Sequence, residues 1–532
     1  MAITGSPDIF TSEEDLSSYV ESSAVTTAAM VGDFEWGPVE LVTDVTSETR
    51  LIQKFGYPVD RNYKDWFTAR NYLAYSSSLK VVRVIGDGSK NATELGDADV
   101  FVKNKDLFDF DYVSIAETKA KYIARFPGEY GNKIRVTVLN KAGKIAQDEA
   151  LAKDPEAKQN PITPYIAKVM QDDDIAIGVW VDGKIKEYGI YSITKGSTDT
   201  SGYENYIFNF FNNNSQYIYL MKENFNLTGV IDDDYTLSGG VSDEITNAEY
   251  ENGWKLFRNE DSTSVSLLMQ AGADTYIGRY MIESIAEKRK DCIALLSPRL
   301  EECVKNPDPV TAITEGSSAV YPNNSSYAFM DGNYKYQYDQ YNDVYRWVPL
   351  NGDIAGLMAL TDFEERPWFS PAGKAIKDCV KLAFYPSKAE RDILFSHNVN
   401  PVTNFKEEGN VLWGDWTRVN NTSFNFVSVR RCFLYMERGI KDYARKIMWK
   451  PNDALTETVF VQTVEPFIQD VMGGRGISEY KILTGNSVSS PEERDKGIFK
   501  AKIKVKPIRS IRWVSLVFTA VRSDISIDEE YE

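Results

Sequence analysis

The residues able to do chemistry are few and scattered. His397 is the only histidine, so neither a histidine-rich metal site nor an H-E-x-x-H helix can be built. Cys292, Cys303, Cys379 and Cys432 form no C-x-x-C pair. Cys292 lies against the apolar run Ile293-Ala-Leu-Leu296 and Cys432 beside Phe433-Leu434, which predicts packing thiols kept reduced in a cytosolic chain. The triplets Asp172-Asp-Asp174 and Asp232-Asp-Asp234 lack the spaced ligands and turn glycine of a calcium loop and read as solvated loops. Gly473-Gly-Arg-Gly476 follows a helical stretch rather than a strand, so it reads as a helix stop and not a phosphate cradle. The run Phe329–Pro349 holds Tyr334, Tyr336, Tyr338, Tyr341, Tyr345 and Trp347. It could be a sugar platform beside two carboxylates, yet no Asp/Glu pair stands out. Its period of two predicts a half-buried strand with three tyrosines on one face and polar residues on the other. No catalytic, cofactor-binding or metal-ligating residue emerges, and the chain is not expected to be an enzyme.

The elements that would position any site follow from bulk numbers first. A chain of 532 residues exceeds one core and suggests three or four units. Its 42% hydrophobic and 13% aromatic content suffices for folding. No N-terminal run reads as a signal peptide and no apolar run reaches membrane-spanning length, so a soluble, cytoplasmically made protein is expected, without membrane insertion. The net charge of −18 argues against direct nucleic-acid binding. That charge is uneven. Arg430–Arg512 holds 17 Lys and Arg against 10 Asp and Glu, a balance of +7 that leaves −25 elsewhere. Such a split predicts that the C-terminal part faces an acidic partner.

Along the chain, residues 1–22 are too polar for a core and read as an arm with a short extended piece at Ile9 and Phe10. A buried strand is expected over Ala24–Val31, a helix capped by Ser47 and closed at Gly56, a second helix over Tyr63–Ser76 and a strand over Leu79–Ile85. This order makes residues 23–95 the first part of a central α/β domain. Residues 96–241 read as an inserted β-rich domain, with a hairpin turning on Asp182-Gly183. Residues 242–372 resume the α/β pattern: a helix over Ala248–Phe257, strands at Ser264–Met269 and Cys292–Leu296, and a helix over Tyr276–Lys288 between them. Residues 373–515 form a last domain.

Its helix, Val429–Met448, sets Phe433, Met436, Ile440, Tyr443 and Ile447 on one stripe. Arg431, Arg438, Lys441 and Arg445 fall on the opposite face. A second helix spans Ala454–Met472 with an interruption near Pro466, followed by strands over Gly497–Pro507 and Ser510–Val521. Residues 516–532, with Val517, Val521, Ile525 and Ile527, make a C-terminal arm.

Several of these stretches together resemble the tail sheath proteins of contractile bacteriophages of the myovirus type. The resemblance rests on Gly32-Asp-Phe-Glu-Trp-Gly-Pro38, Phe55-Gly-Tyr-Pro58, Val81-Val-Arg-Val84, Pro127-Gly-Glu-Tyr-Gly-Asn132, Leu237-Ser-Gly-Gly240, the aromatic run, Gly352-Asp-Ile-Ala-Gly356, Trp368-Phe-Ser-Pro-Ala-Gly373 and Trp449-Lys-Pro-Asn452. Each is a weak signal alone. In order, they span most of the chain.

The resemblance implies a mixed α/β, multidomain fold whose α+β C-terminal domain is completed by strands exchanged between subunits. It implies that Ile9, Phe10, Val517, Val521, Ile525 and Ile527 lie in the exchanged arms, and that Arg431, Arg438, Lys441, Arg445 and Lys446 face a tail tube. Further implied are hexameric rings stacked in a helical sheath, contraction that drives the tube through the host envelope, and contacts with baseplate and tail terminator. No cofactor is implied. The same resemblance leaves open a phage-derived contractile injection particle or bacteriocin.

Overall fold

The computed structural model describes residues 26–515, apart from 167, 200, 228, 486 and 487. Six strands form the central sheet, in the order Ala328–Met330, Ile293–Leu296, Leu267–Met269, Ala28–Asp33, Leu79–Val84, Thr43–Val45. The first five run parallel and Thr43–Val45 is antiparallel to its neighbour.

Parallel strands covered on both sides read as unbroken apolar runs, and here alternate residues enter two different cores. Ala28 and Met30 pack under Trp66, Phe67 and Tyr72 of the helix Tyr63–Leu73 and under Ile354, Leu357 and Met358 of the helix Asn351–Glu364. Ala29 and Val31 pack against Trp254, Ile277, Met281 and Ile285 on the other side. The first helix forms as expected over Glu48–Phe55: the Ser47 hydroxyl accepts from the Arg50 amide, and Gly56 ends it at φ 78°. The helix expected over Tyr276–Lys288 runs Thr275–Arg289, with a π-helical stretch at Met281–Ala286.

A separate antiparallel sheet comprises Lys184–Ser192, Asp174–Val181, Ile134–Asn140 and Asp232–Thr236, in that order. Its hairpin turns on Asp182 and Gly183, both at positive φ (49° and 73°), as a tight two-residue turn requires. The second aspartate triplet is not a solvated loop. It opens an edge strand, where Asp233 accepts from the Tyr122 hydroxyl (2.7 Å) and Asp234 binds Arg135 through two hydrogen bonds (2.7 and 2.9 Å).

The tyrosine run forms the hairpin Tyr334–Asp339 with Val344–Pro349, in which Tyr334 is buried but the polar face, rather than the rest of the tyrosine face, is the one turned inward. Lys335, Gln337 and Asp339 point inward and are buried, whereas Tyr338 and Tyr345 are exposed. The polar side stays inside because every charge on it is matched. Lys335 meets Asp353, and Asp339 accepts from Arg346 Nε (2.8 Å), Asn342 Nδ2 (2.8 Å) and the Tyr341 amide (3.0 Å). On the outer face Tyr336 stacks on Tyr345 and Trp347, and Lys381 sits 4.8 Å from the Tyr336 ring.

The C-terminal part packs the helix Val427–Ile447 against the helix Ala454–Gly473 and a two-stranded sheet, Ile477–Leu483 with Lys502–Pro507. The second helix continues through Pro466. A proline costs a helix interior about 3 kcal/mol, but Phe460 and Val464 before it and Ile468 and Val471 after it are buried in the same core. Packing on both sides holds the axis through the lost hydrogen bond. The helix then stops at Gly473 as expected.

In the strand Lys502–Pro507, Ile503 and Val505 face that core and the lysines face out. The strand expected over Ser510–Val521 is not formed in its described part. Residues 510–515 form no strand, and Ile511, Trp513 and Val514 are exposed. Ile9, Phe10, Val517, Val521, Ile525 and Ile527 lie outside the described residues.

Candidate assembly surface

The basic helix face is the site that the sequence singles out, and most of it turns inward within the subunit. Arg431 and Asp362 are ion-paired with side chains 6% and 7% exposed, and the Thr26 hydroxyl also donates to Asp362. Arg438 donates to Ser266 Oγ (3.0 Å), the Val265 carbonyl (3.3 Å) and the Asp291 carbonyl (3.0 Å), so it caps the amino ends of two central strands. One turn on, Lys441 pairs with Glu260, and after a further turn Arg445 pairs with Asp261. The spacing that put these cations on one face therefore docks the helix along the subunit's own acidic loops. Lys446 alone of the five stays exposed without a carboxylate partner, its ammonium 5.2 Å from the Tyr443 ring.

Beyond this seam the structure adds an anchor that sequence reasoning missed. Arg512 is clamped between the rings of Trp416 (3.6 Å) and Phe426 (3.4 Å), and its Nε meets Asp415 Oδ1 at 2.7 Å. Burial lowers the Arg512 pKa, with Asp415 opposing that shift. The clamp fixes the chain just before residue 516, beside a cavity of about 490 Å³ lined in part by Phe395, Trp413, Trp416 and Trp513. Asp415 and Trp416 lie about a hundred residues from Arg512, and nothing in the sequence joins them. Neither outer edge of the sheet Ile477–Leu483 with Lys502–Pro507 is paired among the described residues. Such edges accept added strands.

Among the described residues no reactive chemistry is assembled near these surfaces. Burial raises the thiol pKa of Cys432 to about 12 and of Cys379 to about 11, and also raises those of Cys292 and Cys303. A neutral thiol is a poor nucleophile. Asp331 is pushed up to about 8 by burial, but its partners are the Ser297 hydroxyl (2.6 Å) and the Asn333 amide (3.3 Å), in a network closed to solvent. Asn351 donates twice to the same Ser297 oxygen, tying the ends of two strands to the start of a helix. Among the described residues there is no group of three His, Cys, Asp or Glu placed to hold a metal, and no helix long and apolar enough to cross a membrane.

Comparison with known proteins matches this architecture. The family described as phage tail sheath protein central domain matches residues 243–418, and the tail sheath protein Gp18 domain III N-terminal region matches residues 26–84. Those two separated stretches supply all six strands of the central sheet. The tail sheath protein of Vibrio phage KVP40 is 27% identical over 668 aligned positions, covering 98% of this chain and 99% of that relative. An alignment longer than 532 residues must open gaps in this chain, so the relative carries additional segments.

Two solved structures share the fold. The sheath tail protein Lin1278 from Listeria innocua has a TM-score of 0.58 at 10% identity, over 91% of this chain and 92% of that one. The anti-feeding prophage helical sheath in its contracted state has a TM-score of 0.52 at 13% identity, over 97% and 99%. With its central sheet matched by both sheath family models and a tail sheath relative aligned over 98% of its length, the chain is similar throughout to phage tail sheath proteins, which are structural rather than catalytic.

Proposed function

We propose that this chain polymerises as hexameric rings stacked into a helical sheath around a tail tube, and that contraction of the sheath drives the tube through the host envelope for genome delivery. The observation that carries this reading is the end-to-end match with a phage tail sheath protein. The fold shared with a helical sheath in a contracted state supports it. Baseplate and tail terminator would bound the polymer at its two ends, and assembly would take place in the host cytoplasm.

Residues 1–22 and 516–532 are the arms in this reading. Each adds a strand to an open edge of a neighbour's sheet Ile477–Leu483 with Lys502–Pro507. A head-to-tail contact of this kind does not close on itself and so builds a helical array. Work comes from the difference in free energy between two packings of one subunit, so no nucleotide is consumed. The C-terminal helices face the tube.

The test is deletion of residues 1–15 or 524–532, followed by sedimentation and microscopy. A folded monomer that forms no long polymer is the expected result. Polymers of normal length from either deletion would refute arm exchange.

A further inference from the structure

With Arg431, Arg438, Lys441 and Arg445 engaged within the subunit, the basic helix has little charge left to offer a partner. Past Arg445 it runs to a tip of different character. Trp449 is 97% exposed, with Met448 and Leu455 beside it at 57% and 71%, and the exposed Lys446 and Lys450 flank them. The tryptophan backbone is left-handed, at φ 68°. A bulky residue adopts that conformation only at a cost of about 1–3 kcal/mol, and it persists where its surroundings fix it.

The surroundings here are fixed on both sides. The Lys450 amide donates to the Ile447 carbonyl (3.1 Å), Asn452 Nδ2 donates to the carbonyls of Arg494 (3.3 Å) and Ile498 (3.2 Å), and Asp453 caps the next helix through the Thr456 amide (2.8 Å). The turn is therefore preorganised, and it presents an indole that packs on almost nothing within its own subunit.

We propose that Trp449 is the anchor by which the subunit grips an acidic protein surface bearing an apolar recess, with Lys446 and Lys450 on the rim. This rests on the reading above that the C-terminal helices face the tail tube, and it names the contact. The partner's sign follows from Lys446 and Lys450, which are exposed beside the indole and pair with no carboxylate among the described residues. Two exposed lysines are not enough by themselves, because exposed ion pairs contribute only ~0–1 kcal/mol each. A rigid, fully exposed tryptophan supplies what they lack, as buried tryptophans do at the centres of interfaces.

The experiment mixes the purified full chain with tubes assembled from the tail tube protein of the same particle, at low salt and at about 0.5 M salt, where surface charge is screened. Wild type is expected to coat tubes at both. Trp449→Ala is expected to lose about tenfold or more in coating affinity, with an unchanged melting temperature and unchanged polymerisation in the absence of tubes. Lys446→Glu with Lys450→Glu is expected to weaken coating chiefly at low salt. Wild-type coating by Trp449→Ala would overturn the proposal, as would loss of its tube-free polymerisation, which would make the tip a contact between copies of this chain. Failure of the wild type itself to polymerise would instead sink the sheath reading.

Discussion

Lys335 and Asp353 meet at 2.9 Å with neither side chain exposed to solvent. The pair joins the tyrosine hairpin to the helix Asn351–Glu364, and the Lys335 ammonium also donates to the Lys377 carbonyl (3.0 Å). Removing one partner strands the other charge in the core. Lys335→Met is therefore expected to lower unfolding free energy by about 3–5 kcal/mol, while Lys335→Met with Asp353→Leu loses much less. Chemical denaturation of the two variants checks this, and equal losses would contradict it.

Asp331 gives a pH dependence of defined sign. Burial raises its pKa to about 8, above the ordinary aspartate value near 3.8. Between those values the folded state binds more protons than the unfolded chain, so stability from this group is highest at low pH and falls as pH rises towards 8. Melting temperatures from pH 5 to 8.5 are expected to fall more steeply in the wild type than in Asp331→Asn. Parallel profiles would show that Asp331 does not titrate in this range.

The seam between the basic helix and the body is graded. Arg431→Ala leaves Asp362 buried without its cation and is expected to cost about 3–5 kcal/mol. Lys441→Ala and Arg445→Ala remove half-exposed pairs and are expected to cost ~0–1 kcal/mol each. Denaturation midpoints of the three variants test the order, and a larger loss at Lys441 than at Arg431 would contradict it.

In the hairpin the polar residues matter more than the rings. Asp339→Ala leaves several buried donors unpaired and is expected to cost about 3 kcal/mol, against less than about 1 kcal/mol for the exposed Tyr338→Ala. The reverse order in thermal unfolding would contradict the burial of the polar face.

The four inner strands of the central sheet were legible because they are apolar runs, whereas the short edge strands Thr43–Val45 and Ala328–Met330 carry no such signal. The first helix was legible because Ser47 precedes it and Gly56 follows it. Local turn chemistry was legible for the same reason at Asp182-Gly183. The hairpin faces were not, because periodicity reports that two faces differ and cannot say which one is buried. Lys335 goes inside only because Asp353, distant in sequence, awaits it. The basic helix shows the same limit. Its stripe was readable, but the partners Glu260, Asp261 and Asp362 come from loops and a helix that only the tertiary fold brings alongside. The Arg512 clamp needed the same long-range information.

The most direct test of the account is one negative-stain image of the purified full-length chain at high concentration. Long hollow tubes with a helical repeat in side view and sixfold rings in end view are the predicted result. Monomers or small closed oligomers at every concentration would contradict it.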